Sequence, residues 1–306
     1  MGLTVSYVWS RALHLHTRQD LNIGAPGGPF TYRINDSGGN QVGTYTAPVT
    51  YRFANRVDTR YGRVMLMDNG GNSYYNALAV QMRKRFSKGW QGSVAYTWSH
   101  AIDYNQGGGT NVVFLDSGTF LRTVNNADYR GEKGSASLDQ RHRLVISTIF
   151  NPTFTQSAGR LASFLVNNWQ LSQISTIASA QPATATVRIV GAPFPGAAFT
   201  STLNGFGGAN RVPFWPLSNL DVDQVTRTDA RLTKILVFTE RYKLQINFEA
   251  FNVFNIVSNT AVNTEAYSAS NGILTPTAGL GLGSQSQGFP DGTNARRAQV
   301  SLRFYF

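Results

Sequence analysis

From Trp90 onward the residue character flips at every step. Trp90, Gly92, Val94, Tyr96, Trp98 and His100 fall on one side of an extended chain, and Gln91, Ser93, Ala95, Thr97, Ser99 and Ala101 on the other. Successive side chains of a β-strand point to opposite faces, so a period of two predicts a strand with one aromatic face and one small polar face. The pattern recurs and predicts eight strands, at roughly 3–10, 74–87, 90–101, 140–151, 168–180, 226–237, 242–254 and 296–306. Most are close to the ~9–11 residues that a tilted strand needs to cross a bilayer.

The other strands repeat the division. Leu78, Val80, Met82 and Phe86 oppose Gln81, Arg83 and Arg85, with Lys84 the one exception on the apolar side. Leu144, Ile146 and Phe150 oppose Arg143 and Ser147, and Tyr242, Leu244, Ile246 and Phe248 oppose Lys243, Gln245, Asn247 and Glu249. The last strand sets Val300, Leu302, Phe304 and Phe306 against Gln299, Ser301, Arg303 and Tyr305. Strand 226–237 is less clean, because Ile235 and Val237 share a face with Asp229 and Arg231.

The links between strands alternate in length. Lys88-Gly89 reads as a two-residue hairpin, and 238–241 is also short. The segments 11–73, 102–139, 181–225 and 255–295 are long and, from 102 on, rich in Gly, Asn, Ser, Thr and Pro, with 152–167 intermediate. Outer-membrane barrels keep short turns at the periplasmic end and long loops outside. The expected fold is therefore all-β, an antiparallel transmembrane β-barrel. Its aromatic girdle would include Trp90, Tyr96, Trp98 and Tyr242, and its lumen would receive Arg143, Arg231, Lys243, Glu249 and Arg303. A soluble barrel with these rings buried inside shows the same alternation. Composition separates the two: charged residues are only 14% of 306, against about a quarter in typical soluble domains.

Composition also limits the chemistry. There is no cysteine, so disulfides and thiolate metal sites are excluded. The net charge is +11, but the basic residues are scattered, apart from Arg83, Lys84 and Arg85. Nucleic-acid binding, which clusters basic residues on one element, is not expected; attraction to anionic headgroups or solutes is. His14 and His16 could form a metal pair but lack a third ligand nearby. Ser99, His100 and Asp103 are triad residue types, yet Ser99 and His100 should point to opposite faces. "DYNQGGGT" (103–110) lacks the Lys-Ser/Thr of a phosphate loop, and "DNGGN" (68–72) reads as a turn. No catalytic residue, cofactor or metal is expected.

Four stretches carry a resemblance: "GNSYYNALAVQMRKRFSKGWQGSVAYTWSHAID" (71–103), "LDQRHRLVISTIFNPTF" (138–154), "NNWQLSQISTIASAQP" (167–182) and "TDARLTKILVFTERYKLQINFEAFNVFN" (228–255). They resemble the barrel of TonB-dependent outer-membrane receptors, nearest to the Oar-like type. Such barrels have about 22 strands around a plugged lumen, so the resemblance implies that residues 1–306 are the C-terminal eight strands or so of a larger barrel. The plug domain and signal peptide would lie elsewhere. It further implies outer-membrane lipid and lipopolysaccharide as surroundings, the TonB complex as a partner through that plug, and an unidentified extracellular ligand captured by loops 102–139, 181–225 and 255–295. Val300, Leu302, Phe304 and Phe306 are similar to the terminal signal read by the barrel-assembly machinery. A stand-alone eight-stranded barrel with a structural or adhesive role is the other expectation.

Overall fold

The computed structural model describes residues 1–104, 130–154, 159–207, 210–285 and 295–306. All eight expected strands are present: β1 (Gly2–Asp20), β2 (Met65–Ser87), β3 (Trp90–Asp103), β4 (His142–Phe150), β5 (Trp169–Ala178), β6 (Val225–Val237), β7 (Lys243–Phe251) and β8 (Arg297–Tyr305). They form one sheet in chain order, every neighbouring pair antiparallel. The sheet is open. Within the described residues β1 pairs only with β2, and β8 only with β7.

One end of the sheet carries the short links. At the β2–β3 hairpin, Lys88 (φ 52) and Gly89 (φ 72) are both left-handed, the backbone of a type I′ turn that matches the strand twist. Only glycine fits the second position, because a Cβ there would lie 2.7 Å from the Asn151 carbonyl oxygen. The β6–β7 link closes through Thr239, whose hydroxyl accepts from the Tyr242 amide at 2.9 Å. The β4–β5 link holds a short helix, Arg160–Val166, which the period-two reading does not anticipate.

The opposite end holds the long segments, and here the structure corrects the reading of them as loops. Strands Phe30–Asn35 and Gln41–Ala47 from the first segment join Thr186–Ile189 from the third and Glu265–Ser270 and Ile273–Pro276 from the fourth. Together they make a five-stranded mixed sheet. Phe30, Tyr32 and Ile34 alternate with Thr31 and Arg33, so one face of this sheet is apolar. Residues 192–207 and 210–215 cover that face with Phe194, Leu203, Val212 and Phe214. Tyr32, Phe194, Phe206 and Leu274 are fully buried. The hydrophobic core of the chain thus sits in this cap and not in the large sheet.

Two local expectations also change. "DNGGN" lies within β2 and is not a turn. His14 and His16 lie within β1, where the register slips between Ala12 and Thr17 and His14 takes a φ of 57. Both β1 and β2 run past the length of their neighbours and carry the sheet up into the cap.

Candidate functional site

The candidate site is the pair of faces of the large sheet. Register lines up side chains across strands, and one face is apolar along whole rows. Leu3, Met82, Val94 and Ile146 form one row, and Val5, Val80, Tyr96, Leu144 and Ile177 another. Towards the hairpin end, Trp90, Phe150, Leu171, Leu232, Phe248 and Val300 form a third. These residues are on the surface: Leu302 is 69% exposed, Leu3 69% and Val300 64%. A monomeric soluble protein rarely exposes contiguous apolar area beyond a few hundred Å². At about 25 cal/mol per Å² kept from water, a face this wide needs a non-aqueous surrounding.

The four girdle residues lie on this face. Trp90 stands at the hairpin end, and Trp98 is eight residues farther along β3. That spacing is about 26 Å along the strand, or roughly 20 Å of height at the ~40° tilt of barrel strands, most of the ~25 Å apolar band. Tyr96 stacks on His142, its hydroxyl 2.8 Å from Nδ1. Tyr242 stacks on Phe304, and Phe304 on Phe306. Val300, Leu302 and Phe304 continue the face along β8.

Two lysines interrupt the apolar face, and both are handled alike. Lys84, the exception visible in the sequence, folds back to the hairpin. Its ammonium donates to the Ser87 and Trp90 carbonyls at 3.0 and 2.8 Å and sits 4.3 Å from the Trp90 ring centroid. Lys234 is only 5% exposed. It donates to the Phe164 and Leu165 carbonyls at 2.8 and 3.0 Å, at the C-terminus of helix Arg160–Val166, and lies 5.0 Å from the Trp169 ring. A cation suits a helix C-terminus and an aromatic face. Both stems therefore lie along the apolar face while the heads end at the rim. The polar residues Gln173, Ser175 and Thr228 satisfy each other, with Ser175 Oγ 2.9 Å from Gln173 Oε1 and 2.7 Å from Thr228 Oγ1.

The other face is polar. Arg143, Arg231, Lys243, Glu249 and Arg303 all fall on it by register. Arg231 pairs with Glu249, which also accepts from Gln299 at 2.8 Å. Thr233 and Gln245 both donate to Asn247 Oδ1 at 2.9 and 2.8 Å, and Asn247 donates to Ser301 at 3.0 Å. Tyr305 donates to Gln245 at 2.9 Å. This ladder satisfies polar groups across β6, β7 and β8. Towards the cap, Arg227 pairs with Asp229 at 2.9 Å and Arg143 donates to Gln140 at 3.2 Å.

The cap has its own electrostatics. Glu132, 2% exposed, pairs with Arg211 at 2.9 Å and ties the turn at 130–132 to the third segment. Arg56 and Arg63 stack on the Phe199 ring at 4.4 and 4.3 Å. Burial lowers the Arg63 guanidinium below its ordinary range. Burial pushes the Tyr32 phenol far above its ordinary value, and its hydroxyl donates to the Leu203 carbonyl. Burial also raises Tyr45 and Tyr267. The Asp36 carboxylate is held below its usual range by hydrogen bonds from the Asn40 side chain and backbone.

The catalytic arrangements raised by the sequence do not form. Ser99 and His100 alternate across β3, and the Ser99 hydroxyl donates to the Gln140 carbonyl at 2.9 Å. His100 Nε2 lies 3.4 Å from Ser135 Oγ and 4.0 Å from Asp139 Oδ2. One nitrogen faces both groups, so no proton relay through the ring results. Among the described residues no group of three or more metal-ligating side chains comes together. Most of "DYNQGGGT" and of the 102–139 segment lies outside the described residues.

Residues 1–288 match the family model described as an outer membrane beta barrel domain. No curated protein and no solved structure matches. With the exposed apolar face, the polar reverse face and the match over most of its length, the chain belongs to the outer membrane β-barrel domain family, and its place is the bacterial outer membrane.

Proposed function

We propose that this chain is the C-terminal wall and extracellular cap of a larger, TonB-dependent receptor barrel of the Oar-like type. The open sheet carries the reading. An unpaired strand edge inside a bilayer leaves backbone N–H and C=O groups without partners, at several kcal/mol each. Among the described residues β1 and β8 both present such an edge, which supports further strands pairing with them. The four stretches that resemble receptor barrels support the identity of that larger barrel. On this reading Trp90, Tyr96, Trp98 and Tyr242 meet the two lipid interfaces, lipopolysaccharide surrounds the cap end, and Arg143, Arg231, Lys243, Glu249 and Arg303 line the lumen.

The cap, built from three segments on one core, gives a receptor a rigid outer platform for an extracellular ligand. The plug and the TonB complex supply gating and energy, the Val300–Phe306 pattern addresses the barrel-assembly machinery, and no covalent chemistry is involved. Immunodetection in outer-membrane fractions of the source cell, with an antibody to residues 181–225, tests the reading. A band far above 33.5 kDa is expected, and ligand uptake should stop when a protonophore collapses the energy supply. A native outer-membrane band at 33.5 kDa would overturn the receptor reading in favour of a small self-contained barrel.

A further inference from the structure

The polar face is not uniformly compensated. Near the hairpin end it forms a concavity of about 910 Å³. Its polar lining includes Arg83, Arg85, Gln91, Ser93, Ser147 and Ser172, and among the described residues no carboxylate lines it. Elsewhere on this face several arginines have polar partners: Arg227 has Asp229, Arg231 has Glu249 and Arg143 has Gln140. The Arg83 and Arg85 side chains form no hydrogen bond or ion pair with another described residue. They are two apart on β2, about 7 Å from each other along the strand, and both line the concavity, with the β2–β3 register slipping between Lys84 and Ser87. Register places Ser93 beside Arg83 and Ser147 beside Ser93, which sets a row of hydroxyls next to the guanidiniums.

We propose that this concavity is an oxyanion-binding site, with Arg83 and Arg85 as the primary contacts and the hydroxyls of Ser93, Ser147 and Ser172 as a neutral floor. A guanidinium offers a planar fork of donors that matches carboxylate or phosphate bidentately. Two forks about 7 Å apart suit a ligand with two anionic groups. Hydroxyls add donors without bringing a competing charge. The ligand chemistry is that of a di-anionic phosphate or carboxylate solute; an acidic side chain filling the barrel would bring the same groups. The proposal rests on the receptor reading only for the direction from which the anion arrives, because its named contacts all lie within this chain.

The test uses the native polypeptide carrying this chain, purified from outer membranes in detergent, and titrates it calorimetrically with inorganic pyrophosphate. Binding is expected, and Arg83→Gln and Arg85→Gln should each weaken it at least about tenfold, the loss of a charge-assisted contact. Lys88→Gln and Arg241→Gln remove equal charge from turns at the same end but outside the concavity, and should change binding less than about twofold if only the site matters. If the purified protein does not bind pyrophosphate, carbodiimide coupling of an Arg83→Lys variant decides the matter. A cross-link from position 83 to a carboxylate elsewhere in the polypeptide supports the site with an internal acid as its occupant. Absence of both binding and cross-link overturns the proposal, as does equal weakening by the turn variants. A native band at 33.5 kDa would sink the receptor reading yet leave these titrations to stand or fall independently.

Discussion

Met82 gives the sharpest energetic test of which face meets lipid. It lies five residues from Ser87, whose register partner is Trp90 at the rim. Five residues span about 16 Å along the strand, or roughly 12 Å of height at the ~40° tilt of barrel strands. That is half of the ~25 Å apolar band, so Met82 sits at the bilayer midplane. Its row neighbours Leu3, Val94 and Ile146 are apolar, and nothing there can pair with a cation. Met82→Arg should therefore destabilise the barrel by about 2–4 kcal/mol, roughly 30- to 700-fold in the folding equilibrium. Phe150→Arg, in register with Trp90 at the rim of the same face, should cost only about 0–1 kcal/mol. Gln81→Arg points to the wet face and should stay within about 0.5 kcal/mol. Urea titration of the native protein in lipid vesicles, read by the mobility of unheated samples on gels, measures all three. Equal costs for Met82→Arg and Phe150→Arg, or a larger cost for Gln81→Arg, would refute the assignment of the faces.

Three further outcomes follow from the same structure. Lys234→Met removes the ammonium from the end of helix Arg160–Val166; hydrogen exchange at the Ser163 and Asn167 amides should rise about tenfold, since charge-assisted hydrogen bonds worth roughly 1.5–3 kcal/mol are lost. Tyr32 is raised by burial, so it favours folding below its unfolded pKa of about 10 and loses that contribution as pH rises above it. Tyrosinate absorbance should then appear together with loss of the cap's near-ultraviolet circular dichroism, and Tyr32→Phe should shift that alkaline transition upward. Gly24→Ala should unfold the first segment's contact with the turn at 53–55, because the new Cβ would lie 1.4 Å from the Asn55 carbonyl oxygen; limited proteolysis should cut between 20 and 64 in the variant and spare the parent.

The large sheet was legible because its period of two is long and unbroken. Every expected strand occurs, and Lys84 and the mixed face of 226–237 stood out as the irregular places. Lys84 is resolved by Trp90 and the hairpin carbonyls. On β6, Arg231 pairs with Glu249 across the same polar face on which Ile235 and Val237 fall. The cap was hidden for a physical reason. Its sheet takes strands of four to seven residues from three distant segments, and their pairing is tertiary. Only Phe30–Ile34, with its alternation of Phe, Tyr and Ile against Thr and Arg, carried a local signal. Likewise Lys234 looks like a misplaced charge until helix Arg160–Val166 is folded against it. The concavity at Arg83 and Arg85 was half visible, as the one tight basic group in the chain. That no acid among the described residues lines it became apparent only when β2, β3, β4 and β5 were set side by side.

Residues 1–306 contain no cysteine, so a single one introduced here reports alone once any cysteine elsewhere in the native polypeptide is replaced. The most direct test of the central claim is to spin-label positions 299, 300, 301, 302, 303 and 304 one at a time in the native membrane. Accessibility to oxygen and to a water-soluble nickel complex is then measured at each. The structure predicts oxygen maxima at 300, 302 and 304 and nickel maxima at 299, 301 and 303. The opposite phase, or no alternation, would contradict a sheet whose apolar face is turned to lipid.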